Sequence, residues 1–187
     1  AAATRLPAAF YLAHLYWSAG GENRLSEPPF PQTCEWVMHN TLPPGRVVAY
    51  GDAKTEHPVE VKYFPAVASA TRNAILQWFY LTYARESADP LEFLWLDTTL
   101  QPQSPQGRLP LGRAYRAHGA TITSRTSWEA LSTACVVYGK AGREENHENN
   151  DIGQLCIDGY GERLIVDLGA PSGYPEDFFE DEARWKY

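Results

Sequence analysis

The chain has 187 residues, of which 44% are hydrophobic and 13% aromatic, and a formal net charge of −7. This length suits one domain or parts of two, and the acidic balance argues against nucleic acid or an anionic membrane as partner. It leaves room for an acidic polysaccharide, because a cleft can be locally positive on an acidic protein. No run of about eighteen apolar residues is present, so we expect no membrane span.

The first half of the chain has the apolar spacing of helices. Gly20-Gly21 ends the first apolar segment, and Pro43-Pro44-Gly45 follows the second. The third segment carries almost no charge, which favours burial on several sides. Helices are therefore predicted over residues 5–19, 32–41, 65–86 and 90–97.

The spacing of apolar residues changes from near 3.6 to near 2 in the second half. Residues 98–112 are rich in Pro, Gln and Gly and are predicted to form a linker or long surface loop. Strands are predicted over residues 120–124, 131–138, 154–158 and 163–168, with a hairpin turn at 158–161. Helices followed by strands indicate an α+β chain with two separate parts, residues 1–105 and residues 106–187.

The final segment, residues 174–187, is acidic and aromatic. Four strands cannot close a sandwich or bury both faces of a sheet. We therefore expect the chain to be a fragment or one piece of a larger assembly. Its many aromatic residues suit either a core or platforms for sugar rings.

Three cysteines, Cys34, Cys135 and Cys156, lack the spacing of a metal site. Cys135 and Cys156 lie on two predicted neighbouring strands, where they could form a disulfide. They could equally be small buried side chains. The redox compartment stays open.

A polar segment, residues 146–151, runs directly into the last two predicted strands. Each residue has a simple role when taken alone: His147 as a solvated loop residue, Asn149 as a loop former, Asp151 as a turn or cap residue. Asp167, at the end of the last strand, could accept backbone hydrogen bonds. Together, imidazole, amide and carboxylate groups beside paired strands indicate a site.

The spacing of these residues matches a known pattern. His147, Asp151 and Gly153 fit its first part, and Gly161, Asp167 and Gly169 its second, with Leu155 where Phe is common. Upstream, Arg125, Trp128 and Gly139 also fit. Over about residues 113–175 the chain thus resembles the opening of the C-terminal β-sandwich domain of the heparinase II/III-like polysaccharide lyases, which include alginate lyases.

The resemblance implies α/α-toroid helices followed by an antiparallel β-sandwich, with an active cleft between them and a chain that holds a fragment of both. It implies cleavage of uronic-acid polysaccharides by β-elimination, an acidic polysaccharide or oligosaccharide as partner, and a periplasmic or secreted location. The reaction requires a neutralised uronate carboxylate, a base for the C5 proton and an acid for the leaving oxygen.

The resemblance also implies roles for individual residues. His147 is expected to be catalytic, and Arg125, Tyr174 and Tyr187 to bind substrate. Asn149 and Asp167 match metal ligands, but Asn149 replaces a histidine, and an amide oxygen is a poor zinc ligand. The site would hold structural Zn²⁺, the harder Ca²⁺, or no ion.

Two rival functions remain open. The Asn149 replacement favours a non-catalytic carbohydrate-binding or structural β-sandwich on the same scaffold. A hydrolase would draw paired carboxylates from Glu144, Glu145 and Asp151. Neither a Gly-x-Ser-x-Gly elbow nor a Gly-rich phosphate loop is present in the sequence, which argues against those two chemistries.

Overall fold

The structure of the protein is a computed structural model. It describes residues 2–51, 53–54, 56–84, 89–116, 120–142 and 152–168, with residues 2–6 described by their backbone alone. Helices come first and an antiparallel sheet follows, so the predicted α+β class is confirmed. The α-helices in the described ranges are α1 (Ala2–Ser18), α2 (Phe30–His39), α3 (Phe64–Thr71), α4 (Ala74–Tyr83) and α5 (Pro90–Trp95).

The strands form two antiparallel sheets. Two short strands, β1 (Thr41–Leu42) and β2 (Arg46–Val47), pair with each other between α2 and α3. The larger sheet has its strands in chain order, each hydrogen-bonded to the next: β3 (Gly112–Tyr115), β4 (Thr121–Arg125), β5 (Cys135–Lys140), β6 (Leu155–Gly159) and β7 (Glu162–Ile165). Each of the four predicted strands overlaps one of β4–β7, although β5 begins four residues after the predicted start at 131; β1, β2 and β3 were not predicted.

The single helix predicted over residues 65–86 is wrong in one respect, because the structure divides this segment into α3 and α4. Arg72 ends α3 in the left-handed conformation, with φ 54° and ψ 36°. Asn73 then begins α4, and its side-chain oxygen accepts hydrogen bonds from the backbone N–H groups of Ile75 at 3.0 Å and Leu76 at 3.2 Å. A short polar side chain competes well for such N–H groups, so Asn favours a new helix start over helix continuation.

The predicted linker is a packed connection between the helices and the sheet. Gln77 donates hydrogen bonds to the carbonyls of Asp97 at 2.7 Å and Leu100 at 2.9 Å, and the Gln103 N–H donates to Ala74 O at 3.0 Å. At the other end, the backbone N–H of Trp128 donates to Gln106 Oε1 at 2.9 Å. These bonds hold residues 98–112 against α4 and the loop after β4.

The main hydrophobic core contains residues from both parts of the chain. It is built mainly from α1–α4, and Trp128, from the loop after β4, is buried within it. A smaller cluster joins Leu42 and Val48 to Val136, Tyr138 and Cys156 of the larger sheet. The boundary at residue 105 stays a prediction. In both clusters, residues before this boundary pack against residues after it.

Within the described residues, the larger sheet has one covered face and one open face. Along β4, Thr121, Thr123 and Arg125 are buried while Ile122 and Ser124 are exposed. Cys135 and Cys156 lie on opposite faces, because Cys135 is opposite Gly159 and Cys156 is opposite Tyr138. All three cysteines are free thiols, so the disulfide alternative is wrong.

Candidate functional site

Most of the predicted site residues lie outside the described residues. These are His147, Asn149, Tyr174 and Tyr187, together with the alternative carboxylates Glu144, Glu145 and Asp151. Their assignments stay predictions. The structure describes Arg125, Asp167 and the strands on either side of the polar segment.

The β6–β7 hairpin forms the frame that the sequence pattern predicted. Gly153 precedes β6 with φ 88°, and Tyr160 and Gly161 form the turn with φ 56° and 79°. Two consecutive positive φ values are typical of the tight turn that matches the twist of paired strands. The chain then leaves β7 and brings Asp167 beside Cys156 of β6. Burial raises the pKa of the Cys156 thiol, and a hydrogen bond from the backbone N–H of Asp167 opposes that rise.

Arg125 is buried at the junction of β4 with the end of α2. The residue is 4% exposed. Its Nη2 donates hydrogen bonds to the carbonyls of Met38 at 3.2 Å, His39 at 2.8 Å and Thr41 at 3.1 Å. The guanidinium carbon lies 3.9 Å from the ring centroid of Trp128. The last carbonyls of a helix have no partner within the helix and attract cations, so Arg125 caps α2.

These contacts give Arg125 a structural role, and its predicted role in substrate binding stays a prediction. Burial lowers its pKa to about 10. Three backbone carbonyls already accept hydrogen bonds from its Nη2.

His39 lies in the same junction and is fully buried. Its ring meets Trp128 edge to face, with centroids 5.1 Å apart, and neither ring nitrogen has a hydrogen-bond partner among the described residues. Burial lowers its pKa to about 4, and the positive charges of Arg125 and Arg113 act in the same direction. The imidazole is therefore neutral at pH 7.

A charged cluster that was not predicted lies at the end of the β6–β7 hairpin. It consists of Arg46, Glu56, Asp158 and Arg163, and we call it the arginine cluster. Arg46 Nη2 lies 3.5 Å from Asp158 Oδ2 and donates to Gly161 O at 3.1 Å. Glu56 bridges the two arginines: Oε2 is 3.3 Å from Arg46 Nη1, and Oε1 is 3.2 Å from Arg163 Nε.

Burial differs sharply among the members of the arginine cluster. The side chains of Asp158 and Arg163 are 3% and 9% exposed, whereas that of Glu56 is 67% exposed. Within the described part of the chain, Nη1 and Nη2 of Arg163 are buried and make no hydrogen bond. Desolvation raises the pKa of Asp158, while Arg163 and Arg46 oppose that rise.

Buried polar groups continue from the cluster across the covered face of the sheet. Tyr138 lies next to Asp158. Burial raises the pKa of Tyr138, and the negative charge of Asp158 raises it further. Tyr50 donates a hydrogen bond to Gly139 O at 3.0 Å and packs edge to face against Tyr138. Such buried polar groups usually require a partner, which makes this region the best-defined candidate site in the described residues.

One sequence signal could have revealed half of the arginine cluster. Asp158 is the first residue of the predicted turn and Arg163 follows it closely, and the hairpin pairs them directly across β6 and β7. Charged residues on the covered face of a strand are unusual. Arg46 lies more than one hundred residues earlier, and only the tertiary fold brings it there.

Metal ligands and membrane segments were also sought in the structure. Among the described residues, no group of three or more His, Cys, Asp and Glu side chains is arranged to hold a metal ion. Asn149 is outside that range, so the metal prediction remains a prediction. No described helix is both long enough and apolar enough to cross a membrane.

No family model matches the chain, and neither does any curated protein.

Proposed function

We propose that this chain is part of a polysaccharide lyase that cleaves uronic-acid-containing glycans by β-elimination. In this proposal the helices belong to the end of an α/α toroid and the larger sheet to the start of an antiparallel β-sandwich. The observation that carries the proposal is the spacing from His147 to Gly169. The β6–β7 hairpin supports it, because strand, turn and strand fall where that pattern requires them.

The proposed chemistry assigns a task to each residue. A group that neutralises the uronate carboxylate makes the C5 proton more acidic. A base then removes this proton, the bond from C4 to the glycosidic oxygen breaks, and an acid protonates the departing oxygen. His147 would neutralise the carboxylate or take the C5 proton, and the product carries a double bond between C4 and C5.

Asn149 and Asp167 would belong to a structural ion site or its remnant. Asp167 offers a carboxylate and Asn149 an amide oxygen, a pair that suits Ca²⁺ better than Zn²⁺. Without an ion, the same two side chains could join adjacent strands by hydrogen bonds. In either case their role is structural, and no chemical step depends on them.

The test is ultraviolet absorbance of the unsaturated uronate. The complete protein is incubated with alginate, heparan sulfate and other uronans, and we expect absorbance to rise with at least one of them. His147→Ala should remove most of the activity while circular dichroism stays unchanged. His57→Ala, a change at an exposed histidine, is the matched control and should retain activity.

Two results would contradict this proposal. One is the absence of unsaturated product from every uronan, and the other is full activity in His147→Ala, which would remove that residue from the mechanism.

The Asn149 replacement favours a second candidate, a non-catalytic carbohydrate-binding sandwich. It predicts that uronans bind to the protein without any gain in absorbance. Equilibrium binding measured beside the absorbance assay separates the two functions.

A further inference from the structure

We propose that Arg46 and Arg163 form a binding site for a ligand carboxylate, and that Glu56 occupies this site in the free protein. The ligand class, a uronate, rests on the proposed function. The site itself is carried by the geometry of the arginine cluster.

Glu56 contacts the arginines as a ligand carboxylate would. Each of its oxygens faces a different guanidinium group, at 3.3 Å from Arg46 Nη1 and 3.2 Å from Arg163 Nε. Guanidinium groups suit planar carboxylates because their N–H donors match two oxygens at once. Glu56 is also the member on the solvent side, so a ligand arriving from solvent would meet it first.

Arg46 and Arg163 have guanidinium N–H groups that make no hydrogen bond within the described residues. Within the described residues, Nη1 and Nη2 of Arg163 and Nε of Arg46 make no hydrogen bond, although all three atoms are buried. Buried donors without an acceptor are costly. A ligand that carries hydroxyl groups beside its carboxylate would supply acceptors that the single Glu56 carboxylate does not.

Charge and rigidity favour an anion at this position. When Glu56 leaves, two guanidinium groups face the single Asp158 carboxylate, so at least one positive charge remains. Arg46 is positioned by its ion pair with Asp158 and by its hydrogen bond to the carbonyl of Gly161. A preorganised pair of this kind loses little side-chain entropy on binding.

Glu56 can be displaced at low cost. Ion pairs that involve an exposed side chain contribute little to stability, because solvent screens them and ordering the side chain opposes them. The competing interpretation is an ordinary surface ion pair with no ligand, and the experiment separates the two.

The probe is D-glucuronate, titrated into the complete protein and followed by calorimetry or by NMR chemical shifts. Glu56→Gln removes the competing carboxylate and should tighten glucuronate binding about fivefold. Glu60→Gln makes the same charge change in the same loop, where Glu60 pairs with Lys62, and should leave the affinity unchanged. Neutral D-glucose should bind to none of these proteins.

Arg163→Gln should abolish glucuronate binding. Because Arg163 is buried, circular dichroism checks that the Arg163→Gln variant folds. If it does not, the affinity of Glu56→Gln, a change at an exposed position, tests the proposal. Equal affinity in wild type and Glu56→Gln, or undiminished binding to a folded Arg163→Gln, would overturn the proposal.

The absorbance assay for unsaturated uronate is run on the same proteins. Glucuronate binding that tightens in Glu56→Gln without any unsaturated product would refute the lyase and leave this site standing. Unsaturated product together with an unchanged affinity in Glu56→Gln would refute this site alone.

Discussion

His39 shows how a single buried side chain can make the fold sensitive to acid. Its ring is enclosed at the junction of α2 and the larger sheet, beside Trp128 and close to Arg125 and Arg113. Both arginines oppose a further positive charge. Protonation would therefore place a cation in a buried site where the described residues offer it no hydrogen-bond acceptor.

Stability should fall as the pH drops from about 6.5 to about 4. The pKa of His39 is lowered to about 4 in the folded protein, whereas an unfolded histidine titrates near 6.5, so the unfolded chain binds more protons in this window. The contribution is complete above the upper limit, and the loss reaches at most about 3 kcal/mol at the lower one.

Urea denaturation at several pH values checks this prediction. Replacing His39 with Phe should flatten the decline relative to wild type, while His57→Gln, at an exposed position, should not. An equally steep decline in His39→Phe would show that other groups cause the acid sensitivity.

Arg125 shows the same junction from the sheet side. A cation that caps the end of α2 and lies over Trp128 fixes the helix to β4. The resemblance predicted that Arg125 binds substrate. An arginine that packs on a tryptophan in the core has the same sequence spacing. Spacing alone cannot distinguish a substrate-binding arginine from a capping arginine, because either one can stand three residues before Trp128.

At the scale of elements, the break between α3 and α4 depends on Asn73. Replacing it with Ala removes an acceptor for two backbone N–H groups and should destabilise the protein by about 1 kcal/mol. Asn73→Asp keeps the acceptor and adds a charge that favours a helix N-terminus, so it should be neutral or stabilising. Thermal unfolding compares the two variants, and equal losses of stability would contradict a capping role.

The elements predicted correctly are those with strong local signals. The β6–β7 turn was predicted because Gly161 suits a positive φ, and the alternating residues on both sides point to strands. By contrast, β3 has the sequence GRAY and is largely exposed, so it has no alternating apolar pattern. Each strand of the β1–β2 pair has only two residues, too few for any periodicity.

The candidate site was harder to predict than the fold. The arginine cluster joins residues from β2, the following loop and the β6–β7 hairpin, and no local pattern connects them. The apolar periodicity of residues 65–86 continues across Arg72, so the helix break was also hidden. Tertiary contacts bring the arginine cluster together, and one short polar side chain, Asn73, decides the helix break.

At the scale of the whole molecule, the described residues cover the larger sheet on one side only. Its open face carries Ile122, Leu155, Leu164 and Ile165, each more than half exposed. Ile122 and Leu155 flank Gly139 from the neighbouring strands. Contiguous apolar surface of this kind is uncommon on an isolated soluble domain.

The chain studied alone should therefore bind a hydrophobic dye such as ANS while fully folded. Replacing both Ile122 and Leu155 with Thr keeps residues that suit strands but removes apolar surface, so it should reduce dye fluorescence with little change in stability. Leu12→Thr, at an exposed site on α1, is the matched control and should reduce it less. Equal fluorescence in the double variant and wild type would show that the open face of the sheet does not bind the dye.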